Sequence, residues 1–185
     1  MMMEERCDAI LAAVRKQTGT DPVAMMIAVA RREFVKIHGP EHHVLDGACL
    51  LMALHNLGSL PEIDRALQKL RAEGLRMPGA VCGLWGVCGA VTSVGAALAI
   101  WEGTGPLSTD GTWGQHMTCT ASALQTMAAT HGPRCCKRDG FIALEAAVNW
   151  LRTNRGLDLG STKPVCEFCA KNPDCIGNKC PYYPV

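Results

Sequence analysis

From Pro78 to Trp101 the chain carries no charged side chain, a run long enough to pose a choice between a membrane span and the inside of a helical protein. The glycines decide it. Gly79, Gly83, Gly86 and Gly89 fall within eleven residues, and each costs about 1 kcal/mol relative to alanine in a helix interior. The first half of the run is therefore expected to be a loop. What remains, about 88–102, is too short a helix to cross a bilayer, so a buried helix of a soluble protein is predicted and no membrane is expected as a partner.

The rest of the chain reads as more helices with ordinary punctuation. Asp21-Pro22 forms an N-cap followed by proline, and Met25, Met26, Val29, Ala30, Phe34 and Ile37 follow at helical spacing, predicting a helix over 22–38 that stops at Gly39-Pro40. A second helix carries His43, Leu50, Leu51, Leu54 and Leu57, and a third runs from Pro61-Glu62 to Gly74. Further helices are predicted from Trp113 to Thr130 and from an N-cap at Asp139 to Gly156. No alternating strand pattern competes. With 185 residues, 48% of them hydrophobic, the chain has material for one core. The expected architecture is all-α: a compact bundle of about six helices over residues 1–160, then a Cys-rich metal-binding tail over 161–185.

Eighteen Lys and Arg against 17 Asp and Glu leave a net charge of +1, which excludes a chain-wide field for polyanions, so nucleic acid is not an expected partner. The unusual count is eleven cysteines. The residues before and after Cys7 do not read as a secretory leader, so a cytoplasmic setting is expected. In a reducing compartment, thiols in this number point to metal ligands or redox groups rather than disulfides, and an odd number cannot all pair within one chain.

Three constellations carry the chemistry. The first joins Cys82-Gly-Leu-Trp-Gly-Val-Cys88-Gly to Arg134-Cys135-Cys136-Lys137-Arg138. On an unbroken helix Cys82 and Cys88 would point about 120° apart, so it is the glycines that let them converge. Both clusters precede a predicted helix, where positive potential favours thiolate. Cys82, Cys88, Cys135 and Cys136 are therefore candidate ligands of an iron-sulfur cluster, with Arg134 and Lys137 offsetting its charge. Because adjacent cysteines rarely reach one metal together, one of Cys135 and Cys136 is free for persulfide or disulfide chemistry, and Cys136 is the candidate for that catalytic role. The second constellation is the tail, Cys166, Cys169, Cys175 and Cys180-Pro181, four thiols able to wrap one zinc ion or a second cluster. In the third, Glu41-His42-His43 with Asp46, the carboxylate would orient His43 as a remaining ligand or proton donor. Cys7, Cys49 and Cys119 have no assigned task beyond packing.

In this order, Glu41-His42-His43, Cys82 to Ala90, Gly132 to Arg138 and Cys166 to Pro181 resemble an uncharacterised family of cysteine-rich helical domains of anaerobic prokaryotes, found beside methyltransferase or radical S-adenosylmethionine proteins. The middle, Val87-Cys88-Gly89-Ala90, is similar more loosely to putative redox-active proteins named for a Cys, Gly-Cys-Ala-x-x-Gly, Cys, Cys pattern. The resemblance implies anaerobic metal-sulfur biology, with a redox or sulfur-relay protein as partner, including a methyltransferase or radical S-adenosylmethionine protein. The expected function is thus an iron-sulfur protein, of the 4Fe-4S kind, in redox or sulfur transfer. Its alternatives are a zinc-stapled protein- or RNA-binding module without catalysis and a metal-free thiol oxidoreductase.

Overall fold

The computed structural model describes residues 1–184. Among them the chain is all-helical, with eight α-helices and no strand: α1 Met3–Val14, α2 Pro22–Ala30, α3 His42–Asn56, α4 Ile63–Arg76, α5 Val81–Leu84, α6 Gly89–Glu102, α7 Thr112–Ala129 and α8 Cys136–Arg155. Two single 3-10 turns, Cys169–Lys171 and Gly177–Lys179, punctuate the tail. The expected count of about six is exceeded by a first helix and by the four-residue α5. No helix among the described residues is long and apolar enough to cross a membrane.

The centre is α3. Every residue from His42 to Leu54 is buried, as a helix that is apolar around most of its circumference requires, and α1, α2, α4, α6 and α8 pack around it. Gly74 lies inside α4 instead of ending it. A Cβ there would stand 2.5 Å from Val44 Cγ2 and 2.8 Å from the His43 carbonyl oxygen, so the glycine is what allows α4 and α3 to cross so closely. Cys7, Cys49 and Cys119 are members of the apolar core, with burial pushing the Cys7 thiol up to about 11 and Cys119 up to about 12.

Two further helix boundaries differ from expectation. Asp21 caps α2 as predicted, its carboxylate accepting from the Val23 and Ala24 amides at 2.9 and 3.0 Å. Yet α2 ends at Ala30. Phe34 and Ile37, whose spacing suggested a longer helix, pack against the core from a loop. That loop is folded back by the Glu41 carboxylate, which accepts from the Lys36 amide at 2.8 Å. Helix α8 begins three residues before the expected cap: Cys135 is the N-cap, and Asp139 sits in the first turn, accepting from the Cys135 amide at 3.3 Å. The side chain satisfies an unpaired amide from inside the helix rather than from its end.

The tail is docked on α8 and α2. Its ends are closed by the Cys166 amide donating to the Tyr182 carbonyl at 2.7 Å. Tyr182 meets Phe141 edge to face at 5.3 Å and its hydroxyl donates to Glu145. Arg31 of the α2 C-cap pairs with Glu167 at 2.8 Å.

Candidate thiol sites at the start of helix α8

Three segments meet at one end of the bundle: the buried N-terminus of α3, the glycine-rich segment before α6, and the first turn of α8. Cys135 is the N-cap, with extended backbone, and Cys136 is the first helical residue, so the chain changes direction between them and the two side chains line different cavities. Cys136 lines a cavity of about 280 Å³ together with Cys82, Cys88, His42, His43 and Asp139. Cys135 does not share it. It lines a small cavity of about 20 Å³ with Cys166, Cys169, Cys175 and Cys180. Asn172 Nδ2 lies 3.7 Å from Cys135 Sγ, while its Oδ1 lies 3.0 Å from His38 Nε2. Of the expected central set of four, Cys82, Cys88 and Cys136 thus line one cavity, and Cys135 lines the other, beside the tail.

The cysteines also titrate differently from expectation. Amide donors are aimed at the sulfurs as a helix start would provide: Ala90 towards Cys88, and Lys137 and Arg138 towards Cys135. Burial outweighs them. It pushes Cys88 up to about 12, with Asp139 adding to the effect, pushes Cys136 up to about 11, and raises Cys135 and Cys166 as well. Cys88 and Cys136 are therefore held in the thiol form, because desolvation and the nearby Asp139 and Asp46 carboxylates disfavour a further anion. A soft cation would displace those protons on binding.

Cys88 Sγ lies 3.9 Å from Asp139 Oδ2. The other oxygen, Oδ1, accepts from Arg138 Nε at 3.0 Å, and Arg138 also donates to the Pro133 carbonyl at 3.0 Å. Burial nevertheless raises the Asp139 carboxyl above its ordinary range, with Arg138 opposing. Gly89 is the contact point between α6 and the site: a Cβ there would stand 2.0 Å from His43 Cδ2, so only glycine lets the His43 ring lie against the start of α6. Burial lowers the His43 imidazole below its usual range.

Beneath the cavity runs a charged chain whose extent was not legible in the sequence. Asp46 is fully buried, and Nδ1 of His42, not of His43, approaches its Oδ1, at 3.7 Å. His42 Nε2 lies 2.9 Å from Lys137 Nζ, which also donates to the Lys36 carbonyl at 2.7 Å. With Lys137 as donor, Nε2 accepts and the His42 proton sits on Nδ1, facing Asp46. Lys137 is only 1% exposed, and its ammonium stands 5.2 Å from the centre of the Phe168 ring. Burial brings it down to about 8. The expected counter-charge of Lys137 is thus buried and held by the Lys36 carbonyl and His42 Nε2. Arg134 is exposed, and lines the cavity on the Cys88 side.

Among the described residues no three His, Cys, Asp or Glu side chains are grouped closely enough to hold an ion as they stand. The donor chemistry nevertheless fits one. Nδ1 of His38, His42 and His43 and both carboxylate oxygens of Asp46 are buried without a hydrogen-bond partner among the described residues. Such groups are few in native proteins and commonly mark redox, catalytic or ion sites. The signal that would have found Asp46 and His42 is their i, i+4 spacing; the spacing of Cys135 and Cys136 does not reveal that they part company.

The chain belongs to a family of unknown function, DUF5714, which matches residues 10–183. No curated protein and no solved structure matches it.

Proposed function

We propose, for a chain whose family has no assigned reaction, that this is an iron-sulfur protein of redox or sulfur-transfer chemistry, with two metal-sulfur sites divided by the first turn of α8. One observation carries it: consecutive residues, Cys135 and Cys136, line two different thiol cavities. Cys166, Cys169, Cys175 and Cys180, with Cys135 beside them, would hold the tail site. Cys82, Cys88 and Cys136 would hold the central one. Three central thiols leave one iron of a 4Fe-4S cluster for His43 or for an exchangeable ligand, the feature that separates a reactive site from an electron carrier. A bound cluster would supply one-electron chemistry and sulfide. The chain's own residues do the rest: Arg138 fixes Asp139 beside Cys88, Lys137 and His42 balance the buried Asp46, and the apolar shell excludes water. Two sites joined by a single peptide bond suit a relay to a redox or sulfur-carrying partner protein, such as a methyltransferase or a radical S-adenosylmethionine protein.

The small volume beside the tail, about 20 Å³, favours a second reading for that site alone, a single zinc ion holding the tail in place. Anaerobic purification followed by metal and acid-labile sulfide analysis tests both. Brown protein with iron and sulfide near stoichiometric supports the cluster, and one zinc accompanying it assigns the tail. Colourless protein holding zinc alone, or metal-free protein whose thiols titrate reversibly against glutathione, overturns the proposal.

A further inference from the structure

The two thiol sites differ in size. Beside the tail, Cys135 and the four tail cysteines are among the residues that line a cavity of about 20 Å³. The central cavity instead continues outward: Cys82, Cys88, Arg134 and Asp139 line both it and an open groove of about 690 Å³ between the glycine-rich segment and α7. Sites that only hold structure are closed, whereas sites that react keep an open position. The geometry points to this continuous cleft as the binding site for a small organic anion, a carboxylate, sulfonate or phosphate on an apolar chain, that reaches Cys88. This rests on the function proposed above and names the class of its substrate.

Charge selects the head group. Arg138 is spent, 4% exposed and paired with Asp139 at 3.0 Å, so those two cancel. Arg134 is exposed and joins none of the ion pairs among the described residues. It is left as the surplus cation at the junction of the two spaces, where a planar guanidinium suits a bidentate oxyanion. The outer wall selects the rest of the molecule: Leu124 and Met127 of α7 face Leu84 and Val87 of the glycine-rich segment, an apolar channel with convergent polar groups at one end. The head would sit beside Cys88 and the chain would run outward along α7.

The test uses the full chain as purified anaerobically, titrated by calorimetry with hexanoate, hexanesulfonate and hexyl phosphate, each against hexanol. At least one anion should bind ten-fold or more tightly than hexanol, and the ranking among the three identifies the head group. Arg134→Gln, an exposed change that leaves the fold intact by circular dichroism, should reduce that anion to the affinity of hexanol. Met127→Asp should weaken anion and alcohol alike. Equal binding of hexanol and all three anions, or an unchanged anion affinity in Arg134→Gln, overturns the inference. Iron and sulfide measured on the same samples keep the two ideas apart. Anion preference without metal leaves the cleft standing and removes the cluster, whereas metal without anion preference does the reverse.

Discussion

Replacing Gly89 by alanine tests the packing that aims His43 at the central cavity. The added methyl would stand 2.0 Å from His43 Cδ2 and 2.1 Å from Nε2, far inside any real contact. The ring has to move, and it is 92% buried against the start of α6. Overpacking of this kind costs about 1–3 kcal/mol. Alanine's better helix propensity offsets less than about 1 kcal/mol, since Gly89 is the first residue of α6 rather than an interior one. A net loss of about 1–2 kcal/mol is expected, lowering Tm by roughly 2–8 °C for a chain of this size. Urea unfolding should show the midpoint falling with the slope unchanged. A double-mutant cycle isolates the cause: in a His43→Ala background the same glycine change should be neutral or stabilising. An undiminished penalty in that background, or a wild-type background in which Gly89→Ala raises Tm, would refute the clash.

Cys135→Ser should share its phenotype with Cys175→Ser, losing the tail metal and keeping the central spectrum, while Cys136→Ser groups with Cys88→Ser; metal content and visible absorption sort the four, and Cys135 grouping with Cys88 would contradict the division. Lys137→Met leaves the Lys36 carbonyl and His42 Nε2 without their donor and Asp46 without its nearby cation, so a loss of about 2–4 kcal/mol is expected in urea unfolding; equal or greater stability would show that the buried ammonium is dispensable. At the far end of the bundle, burial would raise the Glu102 carboxyl, but hydrogen bonds from Arg155 and His116, the latter at 2.6 Å, outweigh it and hold the group below its ordinary value. A folded pKa below the unfolded one contributes stability that is complete above the unfolded value and fades as pH falls through the folded one. Glu102→Gln should therefore lose about 1–3 kcal/mol at neutral pH and progressively less as the pH is lowered below the ordinary carboxylate range, read from urea unfolding across a pH series; a penalty independent of pH would count against the ionised network.

Much of the fold was legible in the chain because its signals are local. Asp21-Pro22 starts α2 where it should, the glycines from Gly79 to Gly89 break the uncharged run, and α7 and α8 end at their Gly-Pro and Gly signals. Where the reading failed, a contact that periodicity does not encode had intervened. Phe34 and Ile37 keep helical spacing in a loop because Glu41 folds that loop back. Gly74 looks like a stop and is a crossing point, since what it must avoid is α3.

The candidate site divides along the same line. Composition singled out the cysteines, and the run Glu41-His42-His43 with Asp46 the histidine pair, because thiols and imidazoles carry that chemistry wherever they stand. Their partnership was decided only by the tertiary structure. The change from extended backbone to helix at the start of α8 sends Cys135 to the tail and Cys136 to the cavity of Cys88, and the burial of α3 joins His42 and Asp46 into one buried chain with Lys137. The thiols' charge state was likewise decided by packing: the helix starts supply the amides that would favour thiolate, but desolvation depends on what lies across the cavity, and no spacing along the chain encodes that.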